Sequence, residues 1–197
     1  MKTGRSMNPM AMWVLVIAAV SAGPRADGAV LITVGQVGDD VVWEATGSVD
    51  ITGLQYFGQG FGKGQILPVT SSIFLGADPD DNSDPLDSYG VVASPGAFGT
   101  IQIGQGSDGT GPRWGLAGTS IALPQGYQSG DDLAATLVFA DTDIDDLGLI
   151  PGTYSWSWAA DSVTLRIVPV PASAWLFASA LFAFGAGRLP RALMQRG

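Results

Sequence analysis

The side chains in this chain that could bind an ion or move a proton are almost all aspartates. Asp78, Asp80, Asn82 and Asp84 stand at alternate positions, the spacing by which a calcium loop presents oxygen ligands. Ser83 replaces the glycine of such a loop, and Tyr89 stands where a bidentate Glu would close it. The segment is therefore expected to be a solvated acidic loop, with calcium as its candidate ion and no other cofactor. Asp141, Asp143, Asp145 and Asp146 form a second acidic group. Paired carboxylates support glycoside hydrolysis, but Glu44 is the only glutamate, and the aspartates cluster in turn-like stretches where they cap local backbone.

Missing residue types narrow the chemistry further. With no Cys and no His, neither a Ser-His-Asp nor a Cys-His site can be built. Zinc sites of the Cys/His type and haem or iron-sulfur ligation through these residues are excluded as well. The chain is expected not to be an enzyme. Stacking on sugars is open to Trp43, Trp114, Trp156, Trp158 and Tyr127. Trp156 and Trp158 fall on one face of an alternating segment and are expected in the core. Trp114, beside Arg113 in a Gly-rich stretch, is the expected exposed glycan contact.

Short strands must hold these residues. Residues 29–37 and 41–46 are rich in β-branched types and flank Gly38-Asp39-Asp40, the pattern of a hairpin. Ser48–Thr52 alternates and is expected to continue the sheet. Residues 53–64 are Gly-rich and predict a loop with Tyr56, Phe57 and Phe61 as aromatic anchors. Residues 97–103 predict a strand. Residues 133–139, 153–158 and 162–167 each alternate between apolar and polar residues, and Ala159-Ala160-Asp161 predicts an antiparallel hairpin between the last two. One helical turn is expected near Asp143–Leu149. Many short strands and no long amphipathic helix predict an all-β domain, an antiparallel and jelly-roll-like β-sandwich, over residues 29–167.

The charge is unevenly spread. The chain of 197 residues carries −9 overall, yet residues 29–171 hold seventeen acidic residues against Lys63, Arg113 and Arg166, a net of −14. So acidic a region is expected to bind no nucleic acid and no anionic lipid surface. At the N-terminus, Lys2 and Arg5 precede the apolar run Met10–Val20, the layout of a secretory signal peptide over residues 1–28, with cleavage near residue 22 or 28. At the C-terminus, Val168-Pro169-Val170-Pro171-Ala172 leads into an uncharged run to Gly187, followed by Arg188, Arg191 and Arg196. As a helix, residues 172–187 would rise roughly 24 Å, close to the ~30 Å hydrocarbon core that a single transmembrane helix must cross. With basic flanks at both ends held in the cytoplasm, the acidic middle is expected on the far side of the membrane.

This C-terminal order, a Pro-rich motif, a short apolar span and arginines, resembles the PEP-CTERM sorting signal of exosortase substrates in Gram-negative bacteria, in its VPLPA-like variant. Val170 stands where many members carry Glu or Leu. The opening Val30-Leu-Ile-Thr-Val, the Leu123-Pro-Gln-Gly-Tyr127 and Leu149-Ile-Pro-Gly-Thr-Tyr154 stretches and the Asp161-Ser-Val-Thr-Leu strand are also similar to exosortase substrates. The resemblance implies that residues 168–197 are a sorting signal recognised by an exosortase. It implies a tethered intermediate in the inner membrane, with the domain in the periplasm, and a final place at the cell surface or in the extracellular matrix. The expected role is structural, in association with exopolysaccharide or biofilm; the alternative is a carbohydrate-binding module or adhesin on the same scaffold.

Overall fold

The computed structural model describes residues 29–90 and 93–168. They form thirteen strands and no α-helix: β1 (Ala29–Val37), β2 (Asp40–Thr46), β3 (Gln55–Gly60), β4 (Gln65–Leu67), β5 (Ser72–Leu75), β6 (Leu86–Gly90), β7 (Gly104–Gln105), β8 (Asp108–Thr110), β9 (Trp114–Ala117), β10 (Ser120–Pro124), β11 (Ala135–Phe139), β12 (Gly152–Ser157) and β13 (Ser162–Ile167). A 3-10 turn over Pro68–Thr70 links β4 to β5. One sheet has the order β12-β13-β1-β2-β11-β8 and the other β3-β6-β10-β9-β5-β4-β7. The class is thus all-β, with two antiparallel-rich sheets consistent with a β-sandwich.

Period-two alternation builds the first sheet. In β1, Val30, Ile32 and Val34 are buried, and in β2 so are Val41, Trp43 and Ala45. Their partners on the other face stay at least partly wet, as alternation along a strand requires. The pair closes through Gly38-Asp39, with Val37 opposite Asp40; Gly38 at φ 66° supplies the positive φ that a tight hairpin turn needs at its first central position. β12 and β13 form the expected antiparallel hairpin, and Trp156 and Trp158 are buried as expected.

One pairing departs from an all-antiparallel sheet. β1 lies parallel to β13, from Ala29 opposite Ser162 to Val34 opposite Ile167. The chain therefore arrives at Ala29 and leaves at Val168 on opposite ends of the same sheet. Buried residues of both sheets form one core, from Val30, Trp43, Leu137 and Trp156 on one side to Ile66, Leu75, Leu116 and Ile121 on the other. Phe98 fills a gap within it, with its ring 6.1 Å from Trp43 and 6.2 Å from Trp156, both in tilted or edge-on geometry.

Two expected strands are absent. Ser48–Thr52 lies outside any strand because side chains occupy its backbone donors. Val49 N–H donates to the Tyr127 hydroxyl, Asp50 N–H to Asp161 Oδ2 and Ile51 N–H to Ser129 Oγ. Residues 97–103 make only the isolated bridge Gly99–Leu149, since Phe98 N–H is taken by Pro68 O and Thr100 N–H by Gly148 O. Conversely, β3 is a strand where a loop was expected.

Candidate functional site

The expected calcium loop is organised around a cation that belongs to the protein. Arg113 is 6% exposed. Its Nη1 donates to Gly62 O (2.6 Å) and Asp81 O (3.0 Å), and its Nη2 to Asp78 O (2.6 Å) and Ala77 O. Gly76 allows this wrap: its φ is 118°, and a Cβ there would meet Pro112 O at 2.6 Å. On the same loop, Asp78, Asp80, Asn82 and Asp84 are exposed. Among the described residues, no three carboxylates gather into a group able to hold a metal ion. In this loop the carbonyl oxygens of Ala77, Asp78 and Asp81 are spent on the guanidinium. Asp81 instead accepts Ser83 N–H and Ser83 Oγ–H, both at 2.9 Å, and the Ser83 hydroxyl foremost holds its carboxyl below the ordinary value.

The expected exposure of Trp114 requires a correction. It is fully buried at the start of β9, opposite Leu75, and its Nε1 donates to Leu133 O at 2.9 Å. No ring face is left for a sugar. The sequence does carry the signal: Trp114 and Leu116 alternate as strand residues on the inner face. The other candidate stacking residues are equally committed. Trp156 Nε1 donates to Gly118 O and Trp158 Nε1 to Asp50 O, and Trp43 is wholly buried.

Tyr127 works as a staple. Its hydroxyl accepts Val49 N–H at 2.8 Å and faces the carbonyls of Val49 and Asp131, both at 3.0 Å. Burial pushes its phenol up, so it keeps its proton. Tyr154 closes its own stretch in the same way, donating to Ile150 O at 2.9 Å. The Leu-Pro-Gln-Gly-Tyr and Leu-Ile-Pro-Gly-Thr-Tyr stretches thus both end on a tyrosine that ties a turn to backbone.

Next to Tyr127, Asp50 and Asp161 show opposite behaviour. Hydrogen bonds from Thr52 foremost, and one from Ser129, hold Asp50 below its ordinary value. Burial pushes Asp161 up, against the pull of the Asp50 and Ser162 N–H groups and with repulsion from Asp50. Both carboxylates serve backbone donors and so act as local scaffolding.

Three of the second acidic group, Asp141, Asp143 and Asp146, line an open cleft of about 250 Å3 together with Asp39 and Thr142. Gln36 fixes its wall, donating to Thr142 O (3.0 Å) and accepting Ile144 N–H (3.2 Å). The expected turn is present: Leu147 N–H reaches Asp143 O, and Gly148 and Leu149 close it on Asp145 O and Ile144 O. Glu44 is exposed on the outer face of its sheet, with Thr33 and Thr136 as cross-strand neighbours rather than a second carboxylate.

The aromatics that sequence reasoning treated as anchors are the ones left in water. Tyr56, Phe57 and Phe61 are 51%, 62% and 59% exposed. β3 is the edge strand, paired to β6 with a register shift between Tyr56 and Gly58. Tyr56 lies opposite Tyr89, ring centroids 5.6 Å apart and edge-on. Burial foremost, with the Asp87 charge, pushes the Tyr89 phenol up. Gln59 lies opposite Asp87, its Nε2 3.4 Å from Asp87 Oδ1, while Asp87 Oδ2 accepts Gly126 N–H at 2.8 Å.

Of the sorting motif, Val168 is described: it is exposed, and its N–H reaches Val34 O. Pro169, Val170, Pro171, Ala172, the apolar run 172–187 and Arg188, Arg191 and Arg196 lie outside the described residues, as does the signal-peptide region 1–28. Among the described residues, no helix is long and apolar enough to cross a membrane. Comparison with protein-family models, with curated proteins and with solved structures finds no match.

Proposed function

We propose that this chain is an exported, non-enzymatic protein of the cell surface or extracellular matrix, delivered through its C-terminal signal by an exosortase. The observation that carries this reading is the order of the tail: Val168-Pro169-Val170-Pro171-Ala172, the uncharged run to Gly187, then arginines. Two further observations support it. The N-terminal run Met10–Val20 behind Lys2 and Arg5 has the layout of a secretory signal. The last strand ends at Ile167, and Val168, the first residue of the motif, is exposed. The finer architecture, a jelly-roll-like sandwich, belongs to the same proposal and rests on the single core shared by both sheets.

The test is the intact mass of the protein from the surface fraction of cells that carry an exosortase. The expected species ends near residues 168–172 and lacks the apolar run. Recovery of only the full-length chain from the inner membrane of such cells overturns the reading. The second reading, a carbohydrate-binding module or adhesin, loses Trp114 as its contact. It is favoured instead by the water-exposed aromatics of β3.

A further inference from the structure

Across the inner face of the seven-stranded sheet runs one row of cross-strand neighbours: Ile66, Ile73, Leu116, Ile121, Tyr89 and Tyr56. The first four are at most 1% exposed. Tyr89 is half-buried and Tyr56 is 51% exposed. The core row thus emerges into water at the β6–β3 edge and ends as a pair of phenol rings. The next cross-strand pair on this face is polar: Asp87, opposite the buried Leu123, with Gln59 beside it.

We propose that this edge is a binding site for a neutral polysaccharide, with Tyr56 and Tyr89 as its stacking platform and Gln59 and Asp87 as its hydroxyl-binding pair. A pyranose ring presents C–H groups on its faces and hydroxyls around its rim. The electron-rich face of an aromatic ring attracts the former, and a carboxylate and an amide hydrogen-bond the latter and fix orientation. Both halves are prearranged. Tyr89 is wedged against the core, and Asp87 is held by Gly126 N–H, so little side-chain freedom is lost on binding.

The charge selects among sugars. With a net of −14 over residues 29–171, an anionic polymer would be repelled. The edge is also poorly suited to pairing with another strand. The extra residue between Tyr56 and Gly58, with Gly58 at φ 146°, interrupts the ladder that a second copy would extend. Recognition therefore falls to side chains.

The site deepens the surface-protein reading, on which it rests only for where the polymer is met. Its test is affinity electrophoresis of the purified full chain through gels containing a β-1,4-glucan, a β-1,3-glucan or a galactomannan, with alginate as the anionic comparison. At least one neutral polymer is expected to retard the protein and alginate is not. Tyr56→Ala is expected to weaken retardation about ten-fold or more, as truncation of a central aromatic contact does. Gln59→Ala should weaken it less, and Glu44→Gln, on the outer face of the other sheet, should leave it unchanged. Tyr56 and Gln59 are exposed, so both variants should keep the wild-type melting temperature. No retardation by any of the three neutral polymers overturns the proposal. So does unchanged binding by Tyr56→Ala, a preference for alginate, or a dimer that Tyr56→Ala dissolves. None of these outcomes alters the mass of the processed tail, so this site and the sorting reading fail separately.

Discussion

Replacing Arg113 with Met should cost this domain a large part of its stability. The side chain is 6% exposed and reaches four backbone carbonyls on two loops. Met fills much of the same volume but donates nothing. Gly62 O is buried and loses its partner at the full desolvation penalty, about 1–3 kcal/mol. The other three bonds are part-buried, and their acceptors recover some water. Against these losses stands relief of the guanidinium's own burial, including Nε, which has no partner. The net is about 2–4 kcal/mol. For a domain of this size that is a drop in melting temperature of roughly 4–16 °C. Thermal unfolding followed by near-ultraviolet circular dichroism reads it directly, and limited proteolysis should find new cleavage between residues 77 and 84. Arg113→Lys should fall between Met and wild type, since a point charge cannot span both loops. A Met variant within about 1 kcal/mol of wild type and equally protease-resistant would refute the idea that the guanidinium holds these loops.

Two smaller perturbations test the tyrosine staple and the carboxylates beside it. Tyr127→Phe removes the acceptor of Val49 N–H and should cost about 1–3 kcal/mol, read as a lower urea midpoint with an unchanged slope. Asp50 has its folded value lowered, so its contribution is fully present above its ordinary value of 3.8 and is lost as pH falls through the folded value. The stability gap between wild type and Asp50→Asn, measured by urea titration, should therefore be widest near neutrality and shrink in acid. Asp161 has its folded value raised and works in the opposite sense, favouring the folded state as pH falls toward 3.8. A gap that widens in acid would contradict the assignment of Asp50.

Sequence reasoning succeeded where local pattern decides structure. The β1–β2 hairpin follows from alternation around Gly38-Asp39, and β13 spans residues 162–167 as its alternation indicates. It failed where distant partners decide. Val49 and Ile51 alternate as a strand should, yet their backbone donors go to Tyr127 and Ser129, each 78 residues away. β3 looked like a loop because its glycines weaken strand propensity, whereas pairing with β6 overrides that preference. The site suffered likewise. Burial, not residue type, separates Trp114 from Tyr56, and burial depends on which edge the second sheet leaves uncovered. Arg113 gave no sign of its role beyond being one of three basic residues in an acidic stretch.

The parallel pairing of β1 with β13 also sets a timetable. Synthesis from the N-terminus delivers β1 early, yet the neighbour that completes its hydrogen bonding is the last strand to emerge. Until then the β1 strand, with Val30, Ile32 and Val34, has one bare flank. Release from that state comes only when residues 162–167 slot into the gap, immediately before Val168. Completion of the sheet therefore waits for nearly the whole of the described domain, and a chain terminated before residue 162 would lack its closing strand.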